Sequence, residues 1–412
     1  MNITDVADDG SLYTCISNNR LLIYDVPNNK LLHSLTEKPE TTKTKILKIS
    51  PTNTAVAWLR SVPNQLSVIH INSKFVSNVN PSEDCSFEYV LWSRHSKYLA
   101  AFSILSIFTD VYTLENDIVE HLTSINGAKF DDLGHPIAQF SPDGEYFASV
   151  NISNNGHTIS VYSITNSSWN CVQTVLVTDC LDVGGVLWCQ DSASLLVWQA
   201  SAGLSMSLQL VTVDGRVEHT LHADSAPITN VCLSACGRMA ALHSSDTRVR
   251  ILDLLTWQLG SMGVLFHPPI VHESSARSRL RETVHQNESI SVCGPITSTL
   301  CELNHDASRS RFPRLLQFSS DAHYLATYEP IFPNTLWVWD LTSELPLDTI
   351  VKLADTTNVL GLLWHDSEPQ LAVTLSNNSV LVWTPQQTVI HNQHKNKHYP
   401  LTAETYMYSK CK

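Results

Sequence analysis

Apolar and polar residues alternate along most of this chain in runs of strand length, broken by clusters of Ser, Asn, Asp and Gly that favour turns. One phrase recurs within that pattern. It reads Phe140-Ser141-Pro142-Asp143-Gly144-Glu145-Tyr146-Phe147-Ala148 and again Phe318-Ser319-Ser320-Asp321-Ala322-His323-Tyr324-Leu325-Ala326, and the second copy runs on to Leu336-Trp337-Val338-Trp339-Asp340. An apolar strand, a polar turn, a strand of small residues and a strand closing on an aromatic-Asp pair form one antiparallel unit. Such a unit cannot bury its own faces, so several must pack side by side. The pattern therefore predicts an all-β chain, a WD-repeat β-propeller of four-stranded blades.

The residue just after the first strand of each unit serves as its anchor. The anchors are Ser50, Ser93, Ser141, Cys189, Ser234, Ser319 and His365, at intervals of 43 to 48 residues except for one of 85. A blade takes roughly 40 to 45 residues, so the long interval holds one blade and about forty residues more. One unit parses as Ile228 to Leu233, Arg238 to His243, Arg248 to Asp253 and Trp257 to Val264, with a tight turn at Ser244-Ser245-Asp246-Thr247. Ser17-Asn18-Asn19 and Ser376-Asn377-Asn378 are analogous turns.

Upstream of the first anchor, Leu12 to Ile16, Leu21 to Val26 and Leu31 to Leu35 read as three strands of a further blade whose innermost strand is missing. An open inner edge must be paired, and the candidate donor is Thr402 to Tyr408. The expectation is a single ring of about eight blades over residues 1–394, with seven or nine as the alternatives. A polar surface insertion is expected at 267–313, and a C-terminal tail at 395–412 is the candidate donor of a closing strand.

Small residues on the second strands (Ala57, Ala100, Ala101, Ala148, Ala240, Ala241, Ala326, Ala372) let neighbouring sheets approach, and Trp58, Trp92, Trp188, Trp337, Trp339, Trp364 and Trp383 supply bulk between them. These tryptophans are expected in the core rather than in a ligand cage. His135 and His222 each precede an inner strand, where a His can bond the turn Asp of its own blade, Asp246 in the case of His222.

The 412 residues carry a net charge of -13, which opposes nucleic acid unless a local basic patch exists, and none is prominent. No stretch approaches the roughly 18 apolar residues of a membrane span. The start, Met1-Asn2-Ile3-Thr4-Asp5, lacks the features of a signal peptide, so a soluble intracellular protein is expected, with no membrane partner. Ten cysteines occur without a Cys-x-x-Cys pair, and Cys15, Cys171, Cys189 and Cys232 fall in strand-like runs, which suits reduced core thiols.

No nucleophile elbow, phosphate-cradling glycine loop or metal-binding cysteine pair is present in the sequence, so no catalytic, cofactor-binding or metal residue is assigned and no enzyme activity or cofactor is expected. His391-x-x-His394-x-x-x-His398 is the nearest approach to a metal pattern; it lies in a polar segment stopped by Pro400 and reads as a solvated tail. The pairs Asp131-Asp132 and Asp8-Asp9 read as surface carboxylates. The insertion carries Arg277, Arg279, Arg281, Arg309 and Arg311 among Ser and Thr. It reads as a surface loop, or as a docking segment switched by phosphorylation.

Several phrases are more specific than a generic repeat. Arg248-Val249-Arg250-Ile251-Leu252-Asp253 with Thr256-Trp257, then Pro333-Asn334-Thr335-Leu336-Trp337-Val338-Trp339-Asp340, then Trp364, Pro369-Gln370-Leu371-Ala372-Val373 and Leu381-Val382-Trp383-Thr384-Pro385 resemble, in order, the WD-repeat protein family of centrosomes and spindle poles, whose human member is encoded antisense to a p53-related gene. The family begins with a complete Ser-Pro-Asp-Gly strand pair that this N-terminus lacks, and it has a further repeat where this chain turns polar. The resemblance implies a non-enzymatic scaffold bound to a coiled-coil anchoring protein, and in fungi also to a minus-end-directed kinesin. It further implies anchoring of microtubule minus ends, spindle assembly, centriolar satellites and cilium biogenesis. Direct binding to tubulin is expected to be weak, since both surfaces are acidic.

Two other classes compete. A ubiquitin-ligase substrate adaptor would carry Trp-Asp-x-Arg, but the positions two after Asp25, Asp253 and Asp340 are Pro27, Leu255 and Thr342. An RNA- or translation-linked propeller needs a basic stripe with aromatics, whereas the locally basic stretches here are the insertion and Lys395 to Lys412.

Overall fold

The computed structural model describes residues 4–391 other than 8–10, 18–19, 29, 37–42, 82–84, 105–107, 116, 154–155, 166–167, 177–181, 200–204, 268–279, 286–287, 294–314, 344–346, 354–356, 377–378 and 387. Every described element of regular structure is a β-strand, and the strands form eight antiparallel sheets in succession. Strands a to d of each blade run in chain order. Blade 1 is Thr4–Val6, Leu12–Ser17, Arg20–Asp25 and Lys30–Thr36; blade 2 is Lys43–Ile49, Ala55–Val62, Asn64–His70 and Val76–Val79. Blade 3 is Tyr89–Trp92, Tyr98–Phe102, Phe108–Glu115 and Ile118–Asn126; blade 4 is Ala138–Phe140, Tyr146–Ser153, Gly156–Thr165 and Ser168–Leu176. Blade 5 is Val183–Trp188, Ser194–Gln199, Met206–Thr212 and Val217–Ala223; blade 6 is Ile228–Leu233, Met239–Ser244, Arg248–Asp253 and Gln258–Phe266. Blade 7 is Leu315–Phe318, Tyr324–Tyr328, Thr335–Asp340 and Leu347–Lys352; blade 8 is Val359–Trp364, Leu371–Leu375, Val380–Trp383 and Thr388–His391. Two compact units emerge, Met1–Trp198 with Gln209–Glu218, and Gln199–Leu208 with His219–Lys412.

The anchors have a local cause. In each of the seven predicted units the anchor N–H donates to the carbonyl five residues on, as in Ser141 to Tyr146 and Ser319 to Tyr324, both at 2.9 Å. Where the anchor is Ser50, Ser93, Ser141, Ser234 or Ser319, its hydroxyl also accepts the N–H of that fifth residue. In six of the seven the third residue after the anchor takes positive φ: Asn53, Ser96, Gly144, Ser192, Gly237 and Ala322. Serine recurs because it closes this turn with its own side chain.

Tryptophan recurs for a second reason. Trp92, Trp188 and Trp364 each end a strand a, and each indole N–H donates to a carbonyl on strand a of the blade before, at Lys48, Gln139 and Gln317 (3.0 to 3.1 Å). Buried indole thus ties adjacent blades by a hydrogen bond as well as by area. Trp58, Trp188, Trp337, Trp339, Trp364 and Trp383 are buried and Trp92 half-buried, while all eight second-strand alanines are buried. The core is a series of clusters between neighbouring sheets. One joins Leu21, Ile23, Leu47, Val56 and Trp58; another joins Val338, Val351, Trp364, Leu371 and Trp383.

Four expectations need correction. Strand a of blade 1 is not missing. Thr4–Val6 fills it, pairing Thr4 with Cys15 and Val6 with Tyr13, and the Ala7 N–H donates to the Leu12 carbonyl in the same anchor turn. Thr4–Val6 escaped the pattern because it is short and centres on Asp5, whose carboxylate accepts the Ile49 N–H of blade 2 at 2.6 Å. No donated strand is needed at that position; Thr402 to Tyr408, and the tail 395–412 as a whole, lie outside the described residues. The insertion 267–313 is not wholly loop: Leu280–His285 and Glu288–Cys293 form a hairpin, and Glu288–Cys293 pairs with the outer strand of blade 7 (Ser291 with Lys352, Cys293 with Ile350). His222 does not meet Asp246. It lies exposed in the outer strand of blade 5, and the Asp246 carboxylate takes the Arg250 guanidinium at 3.0 Å. Cys171 is exposed on an outer strand rather than in the core.

Candidate interaction surface

Strands alternate in direction within a blade, so b–c turns and d–a connections lie at one end of the sheet, and a–b and c–d turns at the other. In blades 3 and 4 the first end is built around the connection 127–137. Phe108 pairs with Asn126, the Asn151 amide donates to the Gly127 carbonyl at 2.9 Å, and Val150 exchanges backbone bonds with Lys129 and Ile137. These bonds draw Phe108 of blade 3 and Val150-Asn151 of blade 4 against the same loop. Asp131 shapes the loop's tip, its carboxylate accepting the N–H groups of Leu133 (2.9 Å) and His135 (2.8 Å) while Gly134 takes φ of +83°. Burial pushes the Asp131 pKa up, but the hydrogen bonds and charge of His135 outweigh it and hold the carboxyl below its ordinary value.

Beside this loop sits an ionic cluster. Lys129 Nζ bonds the Asp182 carboxylate and the Val183 carbonyl, and His157 Nδ1 accepts the Val183 N–H at 3.0 Å. Burial lowers the His157 pKa, the Lys129 ammonium lowers it further, and Asp182 pulls partly the other way.

At the opposite end of blades 4 and 5 a groove of about 510 Å³ is lined by Tyr146, Ser163, Val172, Ala193, Thr212, Val213 and Asp214. Its carboxylate, Asp214, is already bonded by Arg216 and Thr212.

In the second unit a group of buried polar side chains lies between blades 6 and 7. His243 Nδ1 lies 3.0 Å from Thr229 Oγ1, and His243 Nε2 lies 3.0 Å from Glu329 Oε2, both side chains without exposed surface and the contact lacking hydrogen-bond alignment. His267 Nε2 meets Thr327 Oγ1 at 2.9 Å, and the Trp339 indole donates to that same oxygen at 2.8 Å. His267 is therefore a core residue and not the first residue of a surface insertion. The signal was the apolar run Val264-Leu265-Phe266, which carries the strand up to His267 before the Ser/Arg-rich stretch begins.

The other sequence candidates are placed as follows. Asp132 is exposed beside Asp131, and His135 stacks edge-on against Tyr89. His391 ends strand d of blade 8 rather than opening the polar tail, and His394, His398, Asp8 and Asp9 lie outside the described residues, as do Arg277, Arg279, Arg309 and Arg311. Among the described residues, no group of three or more His, Cys, Asp or Glu is arranged to hold a metal ion, and no helix is long and apolar enough to cross a membrane.

No family model matches the chain. It is 24% identical over 270 residues to WD repeat-containing protein WRAP73 of Mus musculus, a match that covers 60% of this chain and 57% of that protein. The chain thus spans little more than half the length of this curated relative. Among solved structures it is similar to a eukaryotic initiation factor (TM-score 0.62, 12% identity, 95% of this chain and 88% of that one). It is also similar to the C-terminal WD40 domain of Sif2 (TM-score 0.54, 13% identity, 96% and 97%). A dihydro-heme d1 dehydrogenase, NirN, shares the fold at TM-score 0.55 and 13% identity, over 85% of this chain and 66% of that one. These likenesses settle the fold class, an all-β propeller of eight blades.

Proposed function

We propose that this WD-repeat β-propeller is a non-enzymatic scaffold of microtubule-organising centres, acting through protein-protein contacts at centrosomes and spindle poles. The observation that carries the reading is the match to the WD repeat-containing protein of mouse, together with the Pro333 to Asp340 phrase described above. The likeness to an initiation factor is one of fold at 12% identity, and the dehydrogenase shows that the fold alone assigns no role. A propeller with turn-rich ends can hold two partners without a catalytic pocket.

In this reading the partners are a coiled-coil anchoring protein and, in some lineages, a minus-end-directed kinesin, and the outcome is anchored minus ends, an assembled spindle and support for cilium biogenesis. Affinity purification from dividing cells tests it, read together with the position of a fluorescent fusion. The fusion is expected at spindle poles and a coiled-coil spindle-pole protein in the eluate. Recovery of cullin subunits alone, with a diffuse fusion, overturns it in favour of the ligase adaptor.

A further inference from the structure

Four large apolar side chains stand exposed on one end of blades 3 and 4, where a folded chain gains nothing by placing them. Ile104 is 55% exposed, Phe108 48%, Leu133 45% and Ile152 70%. Their grouping follows from the bonds described above. Phe108 pairs with Asn126 at the foot of the 127–137 loop, Asn151 beside Ile152 bonds that same foot, and Leu133 sits at the loop's tip. Ile104 belongs to the b–c turn that Phe108 closes. The loop is tied to the sheet beneath it. Asp131 fixes the tip by two backbone bonds, Tyr89 packs edge-on against His135, and Tyr89, Phe102 and Phe130 join the aromatic cluster between the two blades. Preorganised apolar residues of this kind reduce the ordering cost that a partner would otherwise meet.

Charge decides what kind of partner fits. Lys129 is the sole Lys or Arg in residues 102–110, 126–137 and 149–158. Its ammonium is largely buried and bonded to Asp182 and the Val183 carbonyl. What faces outward beside the apolar residues is carboxylate, Asp132 exposed and Asp182 41% exposed. The character changes at blade 2, where Val62 pairs with exposed Lys43. Anionic lipid headgroups and nucleic acid would be repelled by this rim. A polypeptide that sets apolar anchors between Lys or Arg residues satisfies both halves of it.

We infer that the blade 3 and 4 end carrying Ile104, Phe108, Leu133 and Ile152 is the docking surface for a basic amphipathic segment of a partner protein. This rests on the reading of the chain as an interaction scaffold and adds the place and the chemistry of one partner.

The test is fluorescence anisotropy on the purified full chain with a labelled synthetic amphipathic peptide of Leu and Lys, and a counterpart in which Glu replaces Lys. The Leu/Lys peptide is expected to bind and the Leu/Glu peptide is not. Replacing Ile104, Leu133 and Ile152 together by Ser is expected to weaken binding at least about tenfold. Asp132→Asn is expected to weaken it about threefold and to flatten its salt dependence. Phe75→Ser and Ile118→Ser, at the opposite end of blades 2 and 3, are expected to change nothing. Should the triple variant fail to fold, Ile152→Ser and Asp132→Lys carry the test alone. Equal binding of both peptides, or equal losses from either end, overturns the inference. Competition by vesicles of phosphatidylcholine and phosphatidylserine would give the surface to a bilayer instead. The assay is independent of cellular position, so a diffuse fusion with intact peptide binding defeats the centrosomal reading and leaves this one standing.

Discussion

His267 Nε2 lies 2.9 Å from Thr327 Oγ1, and the hydroxyl between them is shared, for the Trp339 indole N–H reaches the same oxygen at 2.8 Å. Thr327 has no exposed surface, and His267 also contacts the Thr247 carbonyl of blade 6 through Nδ1. One hydroxyl therefore satisfies two buried nitrogen groups and ties strands b and c of blade 7 to the residue where blade 6 ends.

Thr327→Val keeps the shape and removes the hydroxyl, leaving the indole N–H and the imidazole without that partner in an interior closed to water. We expect a loss of about 2 to 3 kcal/mol, read as a lower urea midpoint, whereas Thr327→Ser should recover most of it. A Val variant as stable as the wild type would mean that water or another group replaces the hydroxyl.

Gly185 gives a prediction of the opposite kind, one of excess volume. A Cβ built there would lie 2.0 Å from the Trp198 ring, which is buried within the same blade. Gly185→Ala must displace a buried indole, so it should cost about 1 to 3 kcal/mol. Gly361→Ala, where the nearest atom is the Thr374 hydroxyl at 3.0 Å, should cost less. Thermal unfolding of the two variants side by side checks the order.

Ser141 tests the turn that defines the repeat. Its hydroxyl accepts the Tyr146 N–H at 2.9 Å and bonds the Asp143 carboxylate. Ser141→Ala should cost about 1 to 2 kcal/mol. Ser168→Ala, which removes an exposed bond to the Thr165 carbonyl, should stay within about 0.5 kcal/mol. Equal effects would show that the anchor serine is interchangeable with any surface serine.

The repeat was legible in the sequence because those physical demands fall on fixed positions. In most units a hydroxyl sits just after the inner strand and a residue at positive φ follows three places later, so Ser141 and Gly144 or Ser319 and Ala322 announce the turn on their own. Thr4–Val6 announced nothing, being held by pairing with Cys15 and Tyr13 and by the Asp5 bond to Ile49, which are contacts distant in sequence. His267 was misplaced for a similar reason, since its partner Thr327 is 60 residues away. The apolar end of blades 3 and 4 was invisible too. Ile104, Leu133 and Ile152 become neighbours of one loop only once the sheet order and the Asn151 bond are known.

The His157 site ties stability to pH, and the sign follows from its bonds. Nδ1 accepts the Val183 N–H, so that nitrogen must be unprotonated, and burial and Lys129 both hold the pKa below the ordinary 6.5 against the opposing pull of Asp182. A depressed folded value means that the unfolded chain binds the proton first. The stabilisation is therefore complete above the unfolded value and is lost as pH falls through the folded one. His70, lowered by burial against the pull of Asp117, works in the same direction. Melting temperature should fall as pH is lowered from about 7 to about 5. His157→Gln, which offers an acceptor that takes up no proton, should make that fall shallower, whereas Asp182→Asn should steepen it by removing the one charge that favours protonation. A His157→Gln variant whose melting temperature tracks the wild type across the window would assign the pH response to His70 and the carboxylates instead.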